Sequence, residues 1–113
     1  TSAGKILLAY LDIAEQIKWL EKYPLKRLTK YSIIDNTSFL SLLEAVKEQD
    51  WCYSSEEHEL GVHALAVPIY GPKGNIVAAL NIVSPTARST KEYLIQQILP
   101  LLQETARELR NVI

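Results

Sequence analysis

The spacing of apolar side chains at the start of the chain predicts two short helices that meet at Asp12. Ile6, Leu7 and Ala9 fall within one short helical run. Asp12 is followed three residues later by Glu15, a capping-box pattern that begins a second helix. One helix is therefore expected to end where the side chain of Asp12 caps the next.

Two further helices are indicated by candidate capping residues. Asp35 precedes a run in which Phe39 and later apolar residues recur at helical spacing, which predicts a third helix. Ser89 and Glu92 form another capping pattern in front of a long final helix. Within that helix, Pro100 lacks a backbone donor and crowds the preceding turn, so a kink is predicted.

The middle of the chain has the apolar pattern of strands. Residues 51–53, 62–70 and 75–83 are predicted strands, and the last two are joined by a turn at residues 71–74 that contains glycine. The order of elements predicts an α+β fold, in which a three-stranded antiparallel sheet is flanked by helices and followed by a long C-terminal helix. Such a thin sheet has open edges that further strands or a second subunit could cover.

Asn81 is the one polar side chain in the apolar run at residues 76–83. An amide buried there without a partner would cost about 1–3 kcal/mol, so it needs either a protein partner or a ligand. Ala64 and Ala66 on the neighbouring strand are small and leave room beside it. The pattern favours the wall of a small-molecule pocket over a fully packed core.

Composition limits the functions that this chain can have. Its 113 residues and 48% hydrophobic content indicate one globular domain. The net charge of −1 and the scattered positions of its 12 Lys and Arg residues argue against nucleic-acid binding by the chain itself. Cys52 is the single cysteine, which fits a reducing cytoplasm. No apolar run is long enough to cross a bilayer, so no membrane partner is expected.

Chemically reactive side chains do not form a catalytic motif. Possible histidine partners, His58 and His63, are available to three serines, Ser54, Ser55 and Ser84, but no G-x-S-x-G elbow surrounds any of them. The acidic bend, residues 55–61, has a histidine spacing that matches neither a one-face helical pair nor a zinc finger. We therefore expect no enzyme, no bound metal and no cofactor.

A family resemblance is carried by several short motifs in a fixed order. They are Thr1-Ser2-Ala3-Gly4-Lys5, Arg27-x-Thr29, Glu57-x-x-x-Gly61-Val62-x-Ala64-x-Ala66-x-Pro68, Gly74-x-x-x-Ala78-Ala79-Leu80-Asn81 and Pro85-x-x-Arg88. Together they resemble the effector-binding domain of IclR-type bacterial transcriptional regulators over essentially the whole chain. The start of the chain, Arg27 with Thr29, and the segment that ends at Asn81 look closest to the branch that senses protocatechuate or 4-hydroxybenzoate.

The resemblance implies a GAF-like ligand domain that works inside a larger regulator. The chain contains no Met and begins within a helix entry. Residues 1–113 are therefore expected to be an effector-binding domain truncated at its N-terminus, without the winged helix-turn-helix through which the regulator would contact DNA. The expected partners are a small organic acid effector and further copies of the chain, as a homodimer or homotetramer.

The family's pocket residues can be carried over position by position. The resemblance implies a ligand site formed by Ser2, Ala3, Ser54, Val62, Ala64, Asn81 and Val83. Where better-known members have an acid, a Cys and hydroxyls, this chain has Ser54, Ala64, Asn81 and Val83, so their ligands cannot be copied.

The chemistry of these residues suits a small anionic ligand. Backbone N–H groups of Ser2, Ala3 and Gly4 at the start of the first helix could receive a carboxylate, with Ser54 and Asn81 binding other oxygens. Two alternatives stay open, namely an oligomerisation module without a functional pocket and a small hydrolase or isomerase. The residues at 57 and 58 would carry that reaction. Apart from such a reaction, Glu57 is expected to hold the acidic bend through backbone N–H groups.

Overall fold

The computed structural model describes residues 1–112, and it confirms the predicted α+β order. Helices α1 (Ser2–Ala9), α2 (Ile13–Lys22) and α3 (Asn36–Gln49) come first. Strands β1 (Cys52–Ser55), β2 (Val62–Tyr70) and β3 (Ile76–Pro85) follow, and α4 (Lys91–Tyr93) and α5 (Leu99–Arg110) end the described chain. The first and third strands each start one residue later and end two residues later than predicted, while the bounds of the second strand agree.

The predicted caps of the second and third helices are confirmed. The Asp12 side chain accepts a hydrogen bond from the N–H of Glu15, and the Asp35 side chain accepts one from the N–H of Ser38. Each carboxylate satisfies a backbone donor that has no partner inside its helix. Local sequence therefore decides where these two helices begin.

The predicted cap of the final helix was wrong by one residue. Thr90, not Ser89, caps α4 by accepting a hydrogen bond from the N–H of Tyr93. The Ser89 hydroxyl instead lies 3.1 Å from Nε2 of His63 and 2.9 Å from the hydroxyl of Ser84. The Ser89 side chain, which the capping pattern assigned to the helix, is used in tertiary hydrogen bonds instead.

A π-helical turn lies directly ahead of Pro100, where the sequence predicts a kink. Residues Leu94–Ile98 form this turn between α4 and α5, and the N–H of Leu99 donates to the carbonyl of Leu94. Pro100 then occupies the first turn of α5, where a missing N–H is tolerated. A wider turn ahead of the proline thus lets the helical course continue through it.

The sheet is antiparallel with strand order β1-β2-β3. Its register places Ser54 opposite Ala64 and Ala64 opposite Val83, so these three residues form one row across the sheet. Ala66 lies opposite Asn81 in the next such row. The turn between β2 and β3 has Gly74 at φ +81°, which supplies the positive φ that was predicted for glycine there.

Helices cover both faces of the sheet. Helix α1 packs on one face and α3 packs on α1, whereas α5 packs on the other face. The first core joins the α1 and α3 side chains to Cys52 and Ala66, and the second joins α5 to Leu65, Val67 and other large apolar residues. Alternate residues of β2 therefore belong to different cores.

Candidate functional site

A cavity of about 330 Å³ lies between the start of α1, the sheet, the loop before α3 and the acidic bend. Its size falls at the lower end of the range for small-molecule pockets, about 300–1,000 Å³. Apolar lining residues are Leu25, Leu28, Ile33, Phe39, Val62, Ala64 and Val83. Polar and charged lining residues are Thr1, Ser2, Lys5, Lys26, Ser32, Ser54, Glu56, Glu57, His58, Glu59, His63 and Asn81.

Lys5 is a buried charge in the wall of this cavity. Its residue surface is only 5% exposed. Its ammonium group donates to the hydroxyl of Ser54 at 3.0 Å and to the Glu57 carboxylate at 2.5 Å. The second contact is an ion pair in which the side chain of Glu57 is 23% exposed. A buried cation needs such compensation, because an unpaired one would be strongly destabilising.

The acidic bend is held by Glu56 and not by Glu57, so that part of the sequence prediction was wrong. The carboxylate of Glu56 accepts a hydrogen bond from the N–H of Gly61 at 2.9 Å. Glu56 itself takes a positive φ of 57°, and Gly61 takes one of 80°. This local closure leaves the neighbouring carboxylate, Glu57, free to face the cavity and pair with Lys5.

The irregular loop, residues 23–35, is tied to the acidic bend. The hydroxyl of Thr29 donates to the carbonyl of Glu56, and the hydroxyl of Ser32 donates to the carbonyl of Glu57 at 2.6 Å. The same serine oxygen accepts the N–H of Thr29 at 2.9 Å. These hydrogen bonds position the apolar loop residues against the cavity, and they assign a structural role to the threonine of the Arg27-x-Thr29 motif.

Six of the seven predicted site residues line the cavity. They are Ser2, Ser54, Val62, Ala64, Asn81 and Val83. Ala3 is half-buried and is not among the lining residues. Ser54, Ala64 and Val83 form the cross-sheet row described above, so these three face the same side. Contact of any of these residues with a ligand stays a prediction.

Asn81 is exposed, so the expectation that its amide is buried was wrong. It lies on β3, an edge strand of the described sheet, and its side chain keeps access to solvent. Alternation along one strand does not reveal whether a neighbouring strand will cover it, which is why the apolar run was misleading. Within residues 1–112 its amide makes no side-chain hydrogen bond, so both its oxygen and its nitrogen are open to the cavity.

The start of α1 presents backbone donors beside the same cavity. Thr1 caps the helix, and its hydroxyl accepts the N–H of Gly4 at 3.0 Å. The N–H of Gly4, one of the donors predicted for the ligand, is therefore already used. Ser2 is buried at this end of the helix. The N–H groups of the first residues have no partner inside a helix and carry the positive end of its dipole.

The side chain of His63 makes its hydrogen bonds on the other face of the sheet, as predicted, although the residue also borders the cavity. It is buried, and its Nδ1 lies 2.9 Å from the hydroxyl of Tyr53 while its Nε2 faces Ser89. Its ring thus bridges β1 and the segment that leads into α4. No group of three or more His, Cys, Asp or Glu residues that could hold a metal occurs within residues 1–112.

Cys52 is a buried strand side chain of the first core. Burial raises the pKa of its thiol above the ordinary value, which keeps it protonated and unreactive. The sequence-based interpretation of Cys52 as a packing residue is therefore confirmed.

The charged residue that sequence reasoning missed is Lys5. The buried side chains of α1 include Ser2, Lys5, Ile6 and Ala9, which are spaced as one helical face. A lysine on an otherwise apolar face is the signal that could have identified it. Its acidic partner lies 52 positions further along the chain, and only the tertiary structure brings the two together.

The cavity has the chemistry of a binding site for a small molecule with oxygen substituents. Aliphatic and aromatic side chains can contact an apolar body, while a buried ammonium, a serine hydroxyl and a free amide offer hydrogen bonds. None of the helices in the described part of the chain has the length and apolar character of a membrane span.

Comparison with known proteins identifies close relatives. The family model "Bacterial transcriptional regulator IclR C-terminal" matches residues 1–111. The Pca operon regulatory protein of Acinetobacter baylyi is 74% identical over all 113 residues, which are 41% of its own length. The p-hydroxybenzoate hydroxylase transcriptional activator of the same species is 55% identical over the whole chain and 42% of its own length. The chain therefore spans about two fifths of each relative.

Solved structures share the fold. The inducer-binding domain of an Acinetobacter PobR double mutant, in complex with 3-hydroxybenzoic acid, matches with a TM-score of 0.98 and 56% identity. That match covers 100% of this chain and 65% of that one. The C-terminal domain of the E. coli regulator KdgR matches with a TM-score of 0.87 and 34% identity, covering 98% of this chain and 67% of that one.

Proposed function

This chain is an effector-binding domain of the IclR family of bacterial transcriptional regulators, and we propose that its cavity binds a small aromatic carboxylic acid. The observation that carries the proposal is the cavity itself, in which apolar walls stand beside a buried ammonium group. A hydroxybenzoate has a flat apolar ring, one carboxylate and a hydroxyl, and each of these has a matching partner in the wall. The PobR domain in complex with 3-hydroxybenzoic acid supports the same ligand class.

The row of small and medium side chains across the sheet explains why a ring would fit. Ala64 lies between Ser54 and Val83, so the centre of the wall has the smallest side chain. Phe39 and Ile33 approach from the helical side. A ring placed over Ala64 would be covered on both faces by apolar groups, and the hydroxyl of Ser54 would stay within reach of its substituents.

A thermal-shift titration tests the proposal. Protocatechuate, 4-hydroxybenzoate, 3-hydroxybenzoate, pyruvate and glyoxylate would be added separately to the purified chain. An acid present at about 100 times its dissociation constant should stabilise the fold by about 2.7 kcal/mol. We expect an aromatic acid to raise the melting temperature more than pyruvate or glyoxylate does.

Asn81→Leu removes the open amide and should weaken binding, because the leucine cannot bond the ligand's hydroxyl. The matched control is Asn75→Leu, the same substitution on the same hairpin outside the cavity lining. The absence of any shift with every acid, in a chain that unfolds cooperatively, would refute the proposal. Equal shifts in the two variants would remove Asn81 from the site.

Within a complete regulator, the effector would act on an attached DNA-binding domain in the cytoplasm. The net charge of −1 supports a division of labour in which this domain does not contact DNA itself. A ligand can shift such a regulator only through different affinities for two conformations. The expected readout is a change in operator binding by the full regulator when the acid is added.

We also propose self-association, as a homodimer or homotetramer. Exposed large apolar side chains lie close together in sequence on α1, α2 and the connection between them; they are Leu7, Leu11, Ile13 and Ile17. Clusters of this kind often mark protein contacts. Sedimentation of the chain and of an Ile13→Glu variant would test this, since the charge should shift the distribution toward monomer.

A further inference from the structure

We propose that the ammonium group of Lys5 receives the effector's carboxylate and that Glu57 is an internal competitor for the same group. The inference rests on the proposed function of the cavity. Lys5 then selects acids, and its ion pair with Glu57 is the contact that an acid must replace.

Among the charged groups that line the cavity, Lys5 is the buried cation. The other lining lysine, Lys26, is exposed, and so is His58. Three glutamates also line the cavity, so the electrostatic environment of an entering anion is unfavourable overall. A cation shielded from water interacts far more strongly with a carboxylate than an exposed one does. Lys5 is therefore the group able to overcome the acidic surroundings.

The hydrogen-bonding capacity of Lys5 is only partly used. An ammonium group has three donors. Two of them are directed to Ser54 and Glu57, and within residues 1–112 the third has no protein acceptor. An effector carboxylate can therefore first approach through the open donor, beside the Ser54 hydroxyl, and then take over the donor that Glu57 holds.

Glu57 can leave without unfolding the acidic bend. Its main chain is anchored by the hydrogen bond from the Ser32 hydroxyl to its carbonyl, and the bend is closed by Glu56 and Gly61. The Glu57 side chain is partly exposed, so rotation can return its carboxylate to water. The exchange replaces one carboxylate by another on Lys5 and leaves no buried charge unpaired.

The exchange also changes what is linked to α1. The Lys5–Glu57 pair is a direct contact between this helix and the acidic bend. When an effector replaces Glu57, the bend loses that contact while the helix keeps its charge partner. Effector binding would thereby alter the coupling between α1 and the bend, a local change that a two-state regulator can use.

Calorimetric titration of the chain with 4-hydroxybenzoate and with neutral 4-hydroxybenzamide tests the proposal. Glu57→Gln removes the competing charge and should tighten binding of the acid about tenfold, the size of one charge-assisted hydrogen bond. The same variant should leave binding of the amide nearly unchanged. Lys5→Met should weaken binding of the acid about 30-fold or more, as expected when a buried charge partner is lost.

The double variant Lys5→Met with Glu57→Gln provides the control for folding, because it leaves no buried charge behind. It should fold and bind acid and amide alike. Weaker or unchanged binding of the acid by Glu57→Gln would overturn the proposal, as would a retained preference for the acid in the double variant. If the folded wild type binds no aromatic acid at all, the proposed function itself is wrong. If the wild type binds the acid but the variants behave otherwise than expected, only the roles of Lys5 and Glu57 are wrong.

Discussion

The two faces of the sheet both include residues of β2, but one face is packed and the other borders a cavity. On one face of β2, the large side chains of Leu65, Val67 and Ile69 are buried in one core with α5. On the other face the smaller residues Val62 and Ala64 leave the cavity. Strand alternation therefore separates a packed core from the side that holds the cavity, because side-chain volume differs between odd and even positions.

The difference extends to the chemistry of each face. The face toward α5 holds one buried polar side chain of β2, His63, with hydrogen bonds on both ring nitrogens. The face toward α1 includes the charged pair Lys5–Glu57 beside open space. A fully satisfied polar group stabilises one arrangement, whereas a charged group beside a cavity can exchange partners. The packed face thus supports the face that holds the cavity.

Removing volume from the packed face should have the largest effect. Leu65 is fully buried. Leu65→Ala should lower the free energy of unfolding by about 2–5 kcal/mol, since it removes apolar contacts and leaves a void. Val83 on the cavity face is 60% exposed, and Val83→Ala should cost about 0.5 kcal/mol or less. Urea denaturation of both variants measures this, and similar losses would contradict the distinction between the faces.

A larger side chain should affect the two faces differently, blocking binding on the cavity face and lowering stability on the packed face. Ala64→Leu places a larger side chain in the cavity, so it should block binding of an aromatic acid while costing less than about 1 kcal/mol of stability. Ala78 is packed against the α5 core, and Ala78→Leu should cost about 1–3 kcal/mol there. Urea denaturation and titration with 4-hydroxybenzoate give both quantities. Normal binding by a folded Ala64→Leu variant would place the ligand elsewhere.

The smallest expected effect concerns the far end of α1, where Asp50 accepts hydrogen bonds from the hydroxyls of Tyr10 and Tyr70. Burial, followed by the hydrogen bond to Asp50, raises the pKa of Tyr10 above its ordinary value of 10.0. The unfolded tyrosine loses its proton first, so this stabilisation is present below about pH 10 and is lost as pH rises further. Tyr10→Phe should cost about 1 kcal/mol at neutral pH.

Denaturation curves recorded between neutral pH and pH 11 check the sign of this effect. Stability of the wild type should fall above pH 10 more steeply than that of Tyr10→Phe. Tyr31→Phe is the matched control, because Tyr31 is half exposed and its hydroxyl makes no hydrogen bond within residues 1–112. A steeper loss in Tyr10→Phe than in the wild type would reverse the assignment.

Local patterns in the sequence were sufficient for most of the secondary structure. Asp12 and Asp35 cap helices because a side-chain oxygen reaches an N–H three residues away, an interaction that needs no tertiary partner. The same rule failed at Ser89, whose hydroxyl is used by His63. Capping patterns are therefore reliable where nothing distant competes for the side chain.

The candidate site residues also divide into those whose placement was predictable from local sequence and those whose placement was not. The alternation of β2 and β3 correctly grouped Ala64 with Val83, since strand period and antiparallel register fix which residues share a face. The exposure of Asn81 was not predictable, because it depends on which strand lies at the edge. The sequence also could not show that Glu56 closes the bend while Glu57 faces the cavity. Two adjacent glutamates look alike in sequence, and only the geometry of the turn assigns their roles.

The periodicities, the caps of α2 and α3 and the small residues on one side of the sheet follow from the sequence, because these depend on neighbours within a few positions. Tertiary structure alone decided that Lys5 meets Glu57 and Ser54, and that Tyr10 and Tyr70 meet Asp50. Such contacts join residues that lie tens of positions apart. Their geometry is set by how α1 packs on the sheet and α3 packs on α1, and that packing is a property of the whole core.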